Sequence, residues 1–271
     1  MPVRTFQILG IKFFGGSSRE AVEEITRSGG LLVAPAAPSM INFCHDPDYR
    51  DALLRADLVI ADSGFMALLW RFFTGQRVPR ISGLEHVKRL LDHESMKQPG
   101  AVLWVVPTEC SKAKLLDFLS KEAGLQIGHS PRALLEDRES RTRALCPVAA
   151  GNVYVAPRYG DPVQDDVLLG IIKGRHPRHI VIAVGGGIQD KLGRYLLEGL
   201  NYRPAVHCIG AALGFLTGDQ IRIPAWADRY YIGWLFRSFA QPTVFVSRLW
   251  SARKLPWLIW KYRDRLPPLP R

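Results

Sequence analysis

Short apolar runs alternate along this chain with longer charged stretches whose apolar residues recur at helical spacing. LVIA at 58–61, AVLWVV at 101–106, HIVIAV at 179–184 and AVHCIG at 205–210 lack polar alternation. That is the pattern of strands buried on both faces of a parallel sheet. TFQILGIKFF reads as an initial strand, LLVAP as a second and GNVYVAP as a later one. Between them lie helices with recognisable ends. Ser17 and Glu20 have capping-box spacing ahead of SREAVEEITRSG, and Asp46 before Pro47 opens DYRDALLRA. Thr108 caps ECSKAKLLDFLSKEAG, which Gly124 closes; DPVQDDVLLGIIKG and DKLGRYLLEGL complete the set. Strand–helix alternation of this kind implies right-handed crossovers and a doubly wound, mainly parallel α/β sheet. The charged stretch 130–150 has no clear period and reads as a loop with some helix.

The alternation stops after about Gly218, and a boundary falls near Ile221. Residues 222–271 carry +8 of the chain's net charge of +11, together with five of its seven tryptophans. Cations interleaved with tryptophan suit a membrane interface, where amphipathic rings sit at headgroup level, and a single-stranded nucleic-acid groove asks for similar chemistry. No run approaches the ~18 apolar residues of a spanning helix, and the amino terminus has no signal-peptide pattern. A cytoplasmic protein without a spanning helix is expected. Cys44, Cys110, Cys146 and Cys208 are far apart, without metal-ligand spacing, and read as reduced, mostly buried thiols.

Asp62 ends the run LVIA beside Ser63 and Gly64, so it falls at the carboxyl end of a strand, the edge where open α/β sheets bind ligands. The plainer reading is that Asp62 caps the helix that follows. Gly185, Gly186 and Gly187 end another strand ahead of a helix, a turn that can offer backbone amides to a phosphate. As a dinucleotide fingerprint the turn is poor, because Asp190 stands where a third glycine belongs. Gln189 and Asp190 begin that helix, either as caps or as a polar pair facing a sugar. Arg80, in VPRISGLEH, can reach the same edge and pair with a diphosphate. His176 and His179 flank a strand entrance and are expected at the surface.

Taken together, ADLVIADSG with RISGLE downstream, IVIAVGGGIQD, CIGAALGFLTG and RIPAWADRYYIGWLFRSFAQP resemble the WecG/TagA/CpsF glycosyltransferases, glycosyltransferase family 26, from about residue 31 to 248. The resemblance implies a Rossmann-like domain over 1–221 that binds a nucleotide sugar, and a basic, aromatic, helical appendage over 222–271 that meets the membrane. It implies an inverting transfer from a UDP-sugar to a polyprenyl-diphosphate-linked saccharide, in surface polysaccharide synthesis on the cytoplasmic face, with no cofactor and no obligatory metal. Asp62 matches the family's base and Gln189 the glutamine of its PKQE motif, the two expected to be catalytic, while Asp190 matches that motif's glutamate and Arg80 the arginine before its glycine. Arg222, Arg229, Arg237 and Arg248 would complete the pocket for donor or lipid diphosphate, and a tail reaching a neighbouring subunit in a homo-oligomer is compatible with this.

The chain departs from the family pattern at Ala34, Pro35 and Ala36, where a TPN motif is usual, and at Gly187 and Ile188 in place of PK. Gly214 and Gly233 replace acidic residues. Two other readings therefore stand beside the transferase. One is a noncatalytic UDP-sugar-binding protein; the other is a nucleic-acid-binding protein that uses the basic tail.

Overall fold

The computed structural model describes residues 4–127, 150–210, 212–218, 250 and 252–269. The stretch 130–149 and residues 219–249, with Arg222, Arg229, Gly233, Arg237 and Arg248, lie outside the described residues. Among those described, eight strands form one sheet in the order β1-β2-β4-β3-β8-β7-β5-β6. These are β1 (Thr5–Ile8), β2 (Ile11–Phe14), β3 (Gly30–Val33), β4 (Leu58–Val59), β5 (Val102–Val106), β6 (Val153–Val155), β7 (His179–Ile182) and β8 (Ala205–Cys208). All pairings are parallel except β1 with β2. The α/β, doubly wound architecture expected from the alternation is the one observed.

The stretch TFQILGIKFF is two strands rather than one. Leu9 and Gly10 both have positive φ and fold it into a hairpin, the backbone a two-residue turn between antiparallel strands requires. β3, β7 and β8 are buried at every position, as unbroken apolar runs demand of strands covered on both faces.

One face of the sheet is covered by α2 (Ala37–Asn42), α3 (Pro47–Leu54), α4 (Gly64–Thr74), α7 (Asp166–Arg175), α8 (Ile188–Gly199) and the C-terminal helix Leu255–Tyr262. The other is covered by α1 (Ser18–Ser28), α5 (Gly83–Asp92), α6 (Glu109–Ile127) and α9 (Ala212–Leu216). Several starts follow the sequence signals. Ser17 and Glu20 form the capping box of α1, Asp46 accepts from Tyr49 N–H, and Thr108 accepts from Ser111 N–H. Gly124 does not close α6, which continues to Ile127.

Within the last fifty residues, the described helix Leu255–Tyr262 belongs to the main core. Leu255, Leu258 and Ile259 are buried with Trp70, Phe13 and Met40 in one cluster. The amides of Leu9 and Gly10 donate to the carbonyls of Arg263 and Asp264. Ile259→Ala should therefore cost about 2–5 kcal/mol, as deletions in a filled core do. Urea denaturation checks this: one cooperative transition with a lowered midpoint is expected.

Candidate functional site

The strands leave the sheet at a common level, because Val33 pairs with both Val59 and Cys208, and Cys208 pairs with Ile182. The segments that follow, Asp62 after β4, Ala34–Ala36 after β3, Ile209–Gly210 after β8 and Gly185–Gly187 after β7, consequently share one edge.

Asp62 is half-buried there. Ser63, not Asp62, caps α4, its hydroxyl accepting from Met66 N–H at 3.2 Å. The Asp62 carboxylate turns instead to the next helix: Oδ1 accepts from the Gly83 N–H at 2.9 Å, at the first residue of α5. The Asp62 backbone carbonyl accepts from Arg80 Nε at 2.9 Å. Arg80 and Gly83 thus hold the aspartate from both ends. That explains why RISG follows ADSG at this distance.

Gly83 has a second neighbour. A Cβ at this position would stand 3.1 Å from the Ile209 carbonyl oxygen and 3.1 Å from Ala212 Cβ, so a side chain would wedge α5 away from the turn after β8. The following residue, Gly210, donates its N–H to Gln189 Oε1 at 2.7 Å. Asp62, Arg80, Gly83, Gly210 and Gln189 therefore form one connected set. Gly83→Ala should lower turnover more than it lowers stability, because the atoms that must yield, the Ile209 carbonyl oxygen and Ala212 Cβ, flank the turn that carries Gly210; thermal melting beside a rate assay separates the two effects.

Gln189 is 2 % exposed and Asp190 1 %. Both are turned inward, to the backbone of the turns rather than to solvent. Asp190 Oδ2 accepts from the Gly187 N–H at 2.9 Å, while Oδ1 has no partner. Burial pushes the Asp190 carboxyl up to about 7, against the opposing effect of the Gly187 bond. The nearby Asp190 charge adds to burial in raising the Tyr49 hydroxyl and the Cys208 thiol well above their usual ranges. Gly185 and Gly187 have φ of +117° and +89°, conformations that glycine adopts without strain. Gly64 is the first residue of α4, two residues after Asp62.

The exit of β3 contributes Ala34, Pro35 and Ala36 and then α2, a short helix that the sequence pattern did not announce. α2 brings Ser39 to the glycine turn, where its Oγ would lie 3.0 Å from a Cβ on Gly186.

The histidines correct an expectation. His176 is exposed, but His179 is fully buried, as are His86 and His207. His86 Nε2 is 3.1 Å from His207 Nδ1, His207 Nε2 3.1 Å from His179 Nδ1, and His179 Nε2 2.7 Å from Ser95 Oγ. Burial holds His86 and His179 down to about 4 and His207 well below its ordinary value. The signal was present in the text: His179 and His207 occupy strands buried at every position, and His86 lies on the α5 stripe with Gly83, Val87 and Leu90. Cys44 and Cys208 are buried, whereas Cys110 is exposed.

Residues 6–268 match the model of the glycosyl transferase WecG/TagA/CpsF family, and the chain belongs to that family. No curated protein matches the chain. Family membership makes it a glycosyltransferase in class, with a sugar donor and a saccharide acceptor as its partners in general.

Proposed function

We propose that this chain moves a sugar, N-acetylmannosamine, its uronic acid or a hexose, from a UDP donor to a saccharide carried on polyprenyl diphosphate, with inversion at the anomeric carbon. One observation carries the reading: Asp62, Arg80, Gly83, Gly210 and Gln189 are linked by contacts along the carboxyl edge of the sheet, where doubly wound folds bind nucleotides. In the reaction, the Asp62 carboxylate takes the proton of an acceptor hydroxyl as that oxygen bonds to the anomeric carbon. The bond from that carbon to UDP breaks, and the electron pair leaves with the diphosphate. Arg80, joined by Arg222, Arg229, Arg237 and Arg248, neutralises the developing charge, and the Gly185–Gly187 turn offers amides to it. Gln189 and Asp190, turned inward, shape the turns that hold the donor. No metal is needed in this scheme.

The test is a panel of UDP-sugars offered with a short polyprenyl-diphosphate glycolipid and read by product mass. A product heavier by one sugar, with release of UDP, supports the reading. Tight UDP binding without product for any donor would mark a binding protein and overturn it.

Work at the inner face of the membrane fits the aromatic surface of α4 and the C-terminal helix. Phe72 is 80 % exposed, Trp257 51 % and Trp260 57 %. Lys261 lies over the Trp257 ring at 4.6 Å and Arg253 over Trp250 at 4.5 Å. Such rings beside cations favour an anionic interface. Among the described residues no helix is long and apolar enough to cross a membrane. Replacing Phe72, Trp257 and Trp260 together by serine should weaken binding to anionic vesicles by about tenfold or more, as co-sedimentation will report; undiminished binding would remove the membrane from the scheme.

A further inference from the structure

Five side chains that the proposed reaction leaves unused form a hydrogen-bonded line across one face of the sheet: His93, Ser95, His179, His207 and His86. Its direction is fixed at one end. The Ser95 backbone N–H donates to His93 Nδ1 at 3.2 Å, so that nitrogen carries no proton. The Ser95 hydroxyl, 2.8 Å from the same nitrogen, must then donate to it and accept from His179 Nε2–H. A neutral His179 has a bare Nδ1, which accepts from His207 Nε2–H. His207 Nδ1 in turn accepts from His86 Nε2–H. The line ends at His86 Nδ1, which is buried and has no partner. This direction leaves an orphaned acceptor there rather than an orphaned N–H, the less costly of the two.

The last link joins the two halves of the site. α5 begins at Gly83, whose N–H holds Asp62, and His86 stands one turn further along the same helix. β8 carries His207 and runs into Ile209 and Gly210, whose N–H is held by Gln189. We propose that His86 and His207 are positioning residues, their hydrogen bond fixing the Asp62 end of the site against the Gln189 end. The inference rests on the reading of this edge as the site of transfer. Around the pair, α5 meets the turn after β8 and the start of α9 through apolar groups, Val87, Leu90, Ile209 and Ala212. Apolar contacts are non-directional and tolerate small slides, whereas two buried rings joined at 3.1 Å set both a distance and an orientation.

The test uses the full chain carrying His86→Gln, His86→Asn or His86→Leu. A glutamine amide lies where Nε2 does and can still donate to His207; an asparagine amide falls short, and leucine donates nothing. Two readouts are taken, amide hydrogen exchange at Gly83 and Gly210 and the kinetics of sugar transfer. The glutamine variant should stay within about threefold of the unaltered protein in both. The asparagine and leucine variants should exchange these two amides about tenfold faster or more, with α1 unaffected, as local loosening does. Their kcat should fall about 10- to 100-fold, as a small misplacement of reacting groups does, with the donor KM within about threefold. Unchanged exchange in the leucine and asparagine variants, or asparagine matching glutamine, would overturn the proposal. Should the leucine variant not fold, the contrast of asparagine with glutamine decides. If no donor is turned over by the unaltered protein, the transferase reading falls and the exchange readout still judges the brace.

Discussion

Asp62→Asn lowers transfer by about 10²- to 10⁴-fold, the usual worth of a general base, while the fold is kept. The substitution is discriminating because of what it preserves. Asparagine has the same shape, and its carbonyl oxygen still accepts from the Gly83 N–H that Oδ1 holds at 2.9 Å. The Arg80 bond goes to the backbone carbonyl of residue 62 and is untouched. What disappears is the negative charge and, with it, the capacity to take a proton. The measurement is UDP release under saturating donor and acceptor, beside thermal melting of the same preparation. An unaltered melting temperature with a collapsed kcat is expected; full turnover by Asp62→Asn would make the carboxylate a helix-orienting group and nothing more.

The second large effect is on stability against pH, and it comes from buried groups with opposite signs. His86 and His179 have folded-state values near 4, below the ordinary 6.5, and burial holds His207 well below 6.5 as well. Between pH 6.5 and 4 the unfolded chain holds these protons and the folded chain does not, so stability is lost as pH falls through that window. Asp190 works the other way. Its folded-state value is raised from 3.8 to about 7, so its contribution is present below 3.8 and lost as pH rises towards 7. Near pH 5 the unfolded state carries three extra histidine protons and the folded state one extra carboxyl proton. The net of about two protons gives a slope of roughly 3 kcal/mol per pH unit, destabilising towards acid. Asp190→Asn removes the opposing group. It should steepen the acid loss and raise stability at pH 8 by on the order of 1–3 kcal/mol, the relief of the charge being offset by an amide N–H placed where Oδ1 lacks a partner. Urea titrations at pH 5, 6.5 and 8 measure both. A flat profile from pH 4.5 to 6.5 would show that the histidines take up protons in the folded protein.

The order of strands and helices was legible because each buried strand is an unbroken apolar run and several helix starts carry a capping residue. Asp62, Arg80 and Gln189 could be placed on one edge for the same reason: strand direction alone puts every carboxyl end on one side. Their mutual contacts were not legible. Gly83 joins Asp62 to Ile209 only because α5 and the turn after β8, about 120 residues apart in the chain, pack together. α2 was missed because Ala36 offers no capping side chain. His179 was misplaced at the surface because it begins a strand. The sheet begins at that level, but the turn after α5 closes over its edge, and Ser95 hydrogen-bonds the ring. Gly124 failed as a stop because a helix interior tolerates glycine at a cost of about 1 kcal/mol.

A nucleotide-sugar site along the carboxyl edge of the sheet is tested most directly by the amide spectrum of the full chain during titration with UDP. The signals of Gly64, Gly83, Gly186 and Gly210 should move together with a single affinity, while Thr26, Gly29 and Arg203, which line a basic cavity of about 360 Å³ elsewhere on the molecule, stay still. Movement confined to that cavity, or none at all, would contradict it.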